Sequence, residues 1–417
     1  MGHSPTPFVS PAILDDFAAR YAGDLAAYGN SLMHGLAGVA LVSAHLSRGY
    51  LPGTEGHATY TGLASRTAEE LLRRLRAGEW RLGRVHSLCS GLAGVLYAID
   101  ELNRLGVLTA RLDAETRLAL QEVMTGRALE DVREGNVDYL HGPLGVFLVL
   151  LRDREIPEVS HMLDRIFAAY RDHCVRDARG CRCYNSVLRG QAPAEEYNFG
   201  LAHGLAGHVI ILARAYAAGY RPAETEALLR EQLRYVESYR REPGPGADRS
   251  TWKYYPKSVV ENDPDWWDGE DGSQTYESRV GYCYGDLNVA FAYLTAGRVL
   301  ADPALSRKGL DLARHTARRL DVADTQIGIN PHFCHGSAGL VYMFGVLERA
   351  TGEELFGQTA AAWQAHFRYH YYQPLFLDLP ADRQTSLLEG ELGAVLAQIP
   401  QLQPGNYPLA DALLLDL

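Results

Sequence analysis

Two cysteines are the residues of this chain best suited to do chemistry. Cys283 lies in Arg279-Val280-Gly281-Tyr282-Cys283-Tyr284-Gly285, and Cys334 in Phe333-Cys334-His335-Gly336. With His335 they offer two soft thiolates and one imidazole, the donor set of a tetrahedral zinc site that keeps its fourth position open. Two thiolates cancel the charge of the dication, so a third, arriving from a substrate, makes the centre anionic and stays nucleophilic. That favours thiol activation over hydrolysis by a metal hydroxide. The ordinary alternative is a pair of buried free cysteines, and the absence of a compact C-x-x-C spacing speaks for it. The metal reading gains from position: both strings fall at the same point of an internal repeat.

The repeat is a Gly-x-x-Gly unit leading into an apolar stretch. It appears as His34-Gly35-Leu36-Ala37-Gly38, Ser90-Gly91-Leu92-Ala93-Gly94, His141-Gly142-Pro143-Leu144-Gly145, His203-Gly204-Leu205-Ala206-Gly207, His335-Gly336-Ser337-Ala338-Gly339 and Glu389-Gly390-Glu391-Leu392-Gly393. A degenerate copy, Gly285-Asp286-Leu287-Asn288, has asparagine in place of the second glycine. Recurrence at roughly 50 residues marks a repeated supersecondary unit. The stretches after each glycine pair are apolar almost all round, as in helices buried on every side. Between them lie amphipathic segments such as 67–75 and 223–236, whose charged faces suit water. Period-2 alternation is scarce.

The expected fold is therefore all-α: an α/α toroid of seven inner and seven outer helices in one domain over 1–417, with the Gly-x-x-Gly ends at one rim. An open solenoid is the alternative closure. The longest interval, from Gly204 to Gly285, carries an insertion at about 240–276. It is rich in Pro, Gly, Asp and aromatics, and Trp252, Tyr254, Tyr255, Trp266 and Trp267 must pack on something. The segment 172–196 reads as a non-helical hairpin or flap. Both are candidate grips on a substrate. Stacked repeats bring His34, Ser90, His141, His203, Tyr284, His335 and Glu389 to one ring; His34, Ser90 and Glu389 read as helix caps or loop braces, His203 and His335 as functional.

Composition narrows the field. Formal net charge is −11 with no long Lys/Arg block, which excludes nucleic acid as principal partner. No apolar run nears the ~20 residues that span a bilayer. The Met1-Gly2-His3-Ser4-Pro5-Thr6 start formally fits a myristoylation pattern, but one acyl chain anchors only marginally. The cytoplasm is the expected compartment. Six scattered cysteines do not make a disulfide scaffold; reduced thiols are expected. His173 with Cys174, Cys181 and Cys183 could ligate a structural zinc, but the cysteines are read as ordinary thiols near a turn.

On these residues the chain resembles the lanthionine synthetase C family, in its stand-alone lanthipeptide cyclase form. Cys283-Tyr284-Gly285 with Arg279, Cys334-His335-Gly336-Ser337-Ala338-Gly339, Gly200-Leu201-Ala202-His203-Gly204, Ser31-Leu32-Met33-His34-Gly35 and Asp138-Tyr139-Leu140-His141-Gly142 all match, and the resemblance runs over essentially the whole chain. Tyr282 stands where tryptophan is usual, and Asn288 replaces the second glycine. The resemblance implies a toroid binding one zinc ion through Cys283, Cys334 and His335. It implies addition of peptide cysteine thiols to dehydroalanine or dehydrobutyrine, forming lanthionine or methyllanthionine rings in a lanthipeptide precursor. His203, Asp138, Arg279 and Tyr284 match further active-site residues. The implied partners are a dehydrated precursor peptide with its leader, a dehydratase and an exporter.

The residues suit that chemistry. A free thiol, with a pKa of about 8.5, needs a metal to lose its proton at neutral pH. Attack on an electron-poor alkene leaves an enolate that needs a proton, and His203 is the candidate acid. Asp138 could orient an imidazole or take the thiol proton. Arg279 could fix Asp138, the enolate or the loop of Cys283, and Tyr284 could donate a hydrogen bond near the metal. Three other readings remain at this level. A relative adding glutathione to dehydroamino acids in proteins would share the site. A glycoside hydrolase needs a carboxylate pair, for which Asp138 and Glu389 are candidates on a rim dominated by His and Cys. A non-catalytic helical scaffold needs no open metal site.

Overall fold

The computed structural model describes residues 11–79, 86–188, 196–261, 276, 279–371 and 385–417. Among them, α1 (Pro11–Arg20), α3 (Glu55–Arg76), α5 (Ala114–Arg133), α7 (Pro157–His173), α9 (Pro222–Ser238), α11 (Pro303–Ala317) and α14 (Glu354–Tyr371) alternate with a second set. That set is α2 (Leu36–Ser47), α4 (Leu92–Arg104), α6 (Pro143–Leu150), α8 (Leu205–Ala217), α10 (Asp286–Val299), α13 (Ser337–Thr351) and α15 (Glu391–Leu402), with a short α12 (Val322–Thr325) in the connection before α13. Each helix of the second set starts immediately after the first glycine of a repeat unit.

The two sets differ in burial as their sequences require. Every residue of α2 is buried, and so is nearly all of α6. The outer helices bury one face: Thr225, Leu228, Leu229, Gln232, Leu233, Tyr235 and Val236 in α9, for instance. The first glycine is itself the N-cap of each inner helix and makes no side-chain cap bond. The residue before it, His34 or Glu389, therefore does not occupy the cap position. The second glycine answers a steric demand. A Cβ at Gly207 would lie 2.1 Å from the Leu201 carbonyl oxygen, and one at Gly339 would lie 1.9 Å from that of Phe333. The loop thus folds its own carbonyl onto the first helical turn, an approach that only glycine permits.

Contacts divide the chain into two compact units, each assembled from distant segments. In the unit of 1–85, 89–112 and 329–410, inner helices neighbour one another in the order α4, α2, α15, α13, with α3 on α2 and α14 on α13. In the unit of 86–88, 113–328 and 411–417, the inner order is α6, α8, α10, flanked by α5 and α7, α9, and α11. The last seven residues lock into this second unit: Leu413, Leu414 and Leu415 are fully buried. The Tyr139 hydroxyl donates to the Ala412 carbonyl at 2.6 Å, and Arg214 to that of Asp411 at 2.6 Å.

Two small antiparallel ladders decorate the second unit. β1 (Val175–Asp177) pairs with β2 (Gly180–Arg182) in the expected flap, and β3 (Glu196–Asn198) pairs with β4 (Ser258–Val260), tying the segment before His203 to the insertion. The flap corrects one expectation. Cys174 and Cys183 are joined as a disulfide across the open end of the hairpin, and Cys181 is a buried free thiol pushed up to about 11 by burial. Neither a set of wholly reduced thiols nor a zinc site fits there: antiparallel pairing of Val175 with Arg182 brings the residues just outside it face to face. The described part of the insertion is packed, with Arg241 over the rings of Trp252 and Tyr276 at 4.5 and 3.9 Å. Trp266 and Trp267, like the Met1-Gly2 start, lie outside the described residues.

Candidate active site

The loop between α5 and α6 buries Asp138 within the second unit. Asn136 begins it by accepting the Asp138 amide N–H at 3.0 Å. The Asp138 carboxylate is wholly buried, and both its oxygens are used. Oδ1 accepts the His141 amide N–H at 2.8 Å; Oδ2 accepts the Asn185 amide at 2.9 Å and Nδ1–H of His203 at 2.7 Å. Burial alone would raise the carboxyl pKa, but the charge and hydrogen bond of His203, with help from His141, hold it at about 2. Burial alone would likewise lower the His203 pKa; the Asp138 charge and hydrogen bond outweigh it and the imidazole ends above its ordinary value. With Nδ1 committed to the carboxylate, Nε2 is the nitrogen left to face a substrate. The His203 ring stacks on that of His141 at 5.7 Å, with planes 10° apart.

The His203 loop abuts the Cys283 loop. A Cβ on Gly200 would lie 2.0 Å from the Cys283 carbonyl oxygen, so the two backbones touch. Asn288 fastens them: its amide donates to the Gly281 carbonyl at 2.9 Å and its oxygen accepts the Leu201 N–H at 3.2 Å. The residue that broke the repeat pattern is thus a clamp between the two loops. Tyr284 stands in the same corner with the Lys257 ammonium 5.1 Å from its ring centroid. Burial, then the charges of Glu196 and Asp138, raise its pKa against the opposing pull of Asn198 and Arg279, so the phenol keeps its proton. Cys283 itself is 7% exposed. Asp138, His203, Tyr284 and Cys283 accordingly share one unit, and Arg279 acts on Tyr284 through its charge.

Cys334 and His335 belong to the other unit. The Cys334 amide donates to the Leu388 carbonyl at 2.7 Å, and the residue is 7% exposed. His335 is half-buried, its ring 5.6 Å from that of His332, which is turned toward the Glu389 carbonyl. Two nearly buried sulfur donors and a half-buried imidazole, each at the loop end just before an inner helix, are a donor set that suits zinc. Among the described residues, no group of three or more His, Cys, Asp or Glu side chains is placed to hold a metal ion. Sequence reasoning missed Asn185 and the role of Asn288. Asn185 carries no signal beyond its place in the non-helical segment, whereas Asn288 was visible as a departure from glycine.

A family model described as "Lanthionine synthetase C-like protein" matches residues 26–414. The chain belongs to the lanthionine synthetase C-like family. Among individual proteins it is similar to the nisin biosynthesis protein NisC of Lactococcus lactis subsp. lactis, 21% identical over 387 residues that cover 88% of this chain and 84% of the relative. The solved structure of a nisin cyclase is similar in fold, with a TM-score of 0.71 at 19% identity over 97% of each chain. The fold is accordingly the α/α toroid anticipated from the repeat. The Asp138–His203 pair and the Cys283 loop both lie in the second unit.

Proposed function

We propose that this chain is a lanthipeptide cyclase, adding cysteine thiols of a dehydrated precursor peptide to dehydroalanine or dehydrobutyrine and closing lanthionine or methyllanthionine rings. The observation that carries the reading is His203, oriented through Nδ1 by a buried carboxylate and set on a loop whose backbone touches that of Cys283. Cys283, Cys334 and His335 would hold one zinc ion, which when bound supplies the charge that keeps a cysteine thiol deprotonated at neutral pH. The thiolate sulfur bonds to the β-carbon of the alkene, and the π electrons move onto the carbonyl as an enolate. His203, with its pKa raised by Asp138, carries a proton on Nε2 to give to the α-carbon. Asp138 stays ionised throughout and keeps the ring in the orientation that presents Nε2. Tyr284, still protonated, is a hydrogen-bond donor for the enolate oxygen, and Arg279 and Lys257 add positive charge on that side.

The substrate must arrive already dehydrated, so the reading implies a lanthipeptide dehydratase acting first and an exporter acting afterwards. Among the described residues no helix is long and apolar enough to cross a membrane. The test is incubation with a dehydrated precursor followed by alkylation of remaining thiols, with glutathione as a competing thiol. Wild type should protect the peptide thiols and contain about one zinc per chain, while Cys334→Ala should lose both properties. Unprotected thiols with the wild-type enzyme would sink the proposal, and preferential glutathione adducts would favour the glutathione-adding reading.

A further inference from the structure

We infer that Asn185 is a positioning residue for the Asp138–His203 pair, tying the carboxylate to the main chain of the histidine that the carboxylate orients; this rests on the cyclase reading. The two hydrogens of one amide group are divided between these partners. Nδ2 donates to Asp138 Oδ2 at 2.9 Å and to the His203 carbonyl at 3.0 Å. Since Oδ2 also takes the His203 Nδ1–H at 2.7 Å, a closed ring runs from carboxylate to imidazole, along the His203 backbone, and back through the amide. The other oxygen is held by His141. The carboxylate can neither rotate nor slide without breaking a bond that buried Asn185, 4% exposed, cannot replace with water. A neutral donor suits this position. An arginine there would compete with the imidazole for the Asp138 charge, whereas an amide leaves that charge to His203.

Asn185 is itself fixed from three sides. Its Oδ1 accepts the Val187 N–H at 3.2 Å. The preceding Tyr184 carbonyl accepts Nε2–H of His173 at 2.9 Å, and the following Ser186 N–H donates to the Gly135 carbonyl at 2.8 Å. Two residues upstream the Cys174–Cys183 disulfide anchors the strand to the end of α7. The flap thus ends in a platform that presents one amide to the Asp138–His203 pair. The titratable groups that feel Asp138 are His141, His203, His208 and Tyr284, with Arg279 acting on Tyr284.

Full-length Asn185→Ala and Asn185→Asp separate positioning from simple structural support. With a dehydrated precursor, Asn185→Ala should lower kcat about 10- to 100-fold with little change in KM, evenly across pH. In Asn185→Asp two carboxyl groups face each other. While they share a proton the new side chain still donates, and once it ionises the two repel. Below the His203 midpoint its activity relative to wild type should therefore fall as pH rises, and the His203 ring titration, followed by NMR, should move to higher pH. Wild-type kcat in both variants overturns the inference. So does an equal, pH-independent loss in both variants with an unmoved His203 midpoint, which would make Asn185 a structural residue only. If the wild-type enzyme forms no thioether, the cyclase reading fails, and the NMR midpoint still decides whether Asn185 governs the pair.

Discussion

At the scale of single residues, the site rests on one charge placed where water cannot reach it. Asp138 remains ionised because its two oxygens accept three hydrogen bonds and face an imidazole that gains a proton readily. The signs follow from the shifts. A carboxyl held at about 2 contributes stability that is present above its unfolded pKa and lost as pH falls toward 2. The raised His203 contributes stability present below its unfolded pKa and lost as pH rises through the raised value. For catalysis, the protonated fraction of His203 falls over that same rise, so the rate should decline on the alkaline side. Asp138→Asn removes the charge and leaves burial to act alone. Its pH–rate profile should show that limb shifted to lower pH, with kcat reduced by about 100-fold or more.

At the scale of elements, the inner helices are defined by contacts that forbid side chains, and the flap by a covalent bond. Gly38, Gly145, Gly207, Gly339 and Gly393 each lie against a carbonyl of their own loop; at 288 an asparagine takes over and joins two loops instead. The motif letters thus encode which loops can approach which helix starts. The Cys174–Cys183 bond closes a short loop, with a sequence separation of 9. On chain entropy alone its loss should cost about 2–3 kcal/mol. Urea titration of Cys183→Ser should show a lower midpoint of that order, and alkylation of denatured, unreduced wild type should leave Cys174 and Cys183 unlabelled. Equal midpoints for the two proteins, together with labelling at both positions, would mean that the bond does not form.

At the scale of the whole molecule, segments far apart in sequence complete each other. The last seven residues serve a unit whose bulk is 113–328: Leu413, Leu414 and Leu415 are fully buried, and the Ala412 carbonyl satisfies Tyr139, the neighbour of Asp138. Burial of a leucine is worth about 1.5–3 kcal/mol. Deletion of 411–417 should therefore lower unfolding stability by roughly 5 kcal/mol or more and reduce thioether formation with it. A truncated protein with unchanged melting temperature and activity would show that the segment is dispensable.

Much of this molecule is legible in its chain alone. The glycine pairs recur because successive helix starts meet the same steric problem, so their spacing announced the helical pairs and their order. The departure at Asn288 was legible as a departure, and Asp138 and His203 could be named because each lies in a motif string. The partnerships were not legible. Which amide holds Asp138, which carbonyl caps Tyr139 and which cysteine bonds to Cys174 depend on loops that meet only after the helices pack, because hydrogen bonds and disulfides need ångström proximity and chain order specifies none. Sequence alone therefore determined the repeating architecture and the reactive residue types; tertiary structure decided which of them touch.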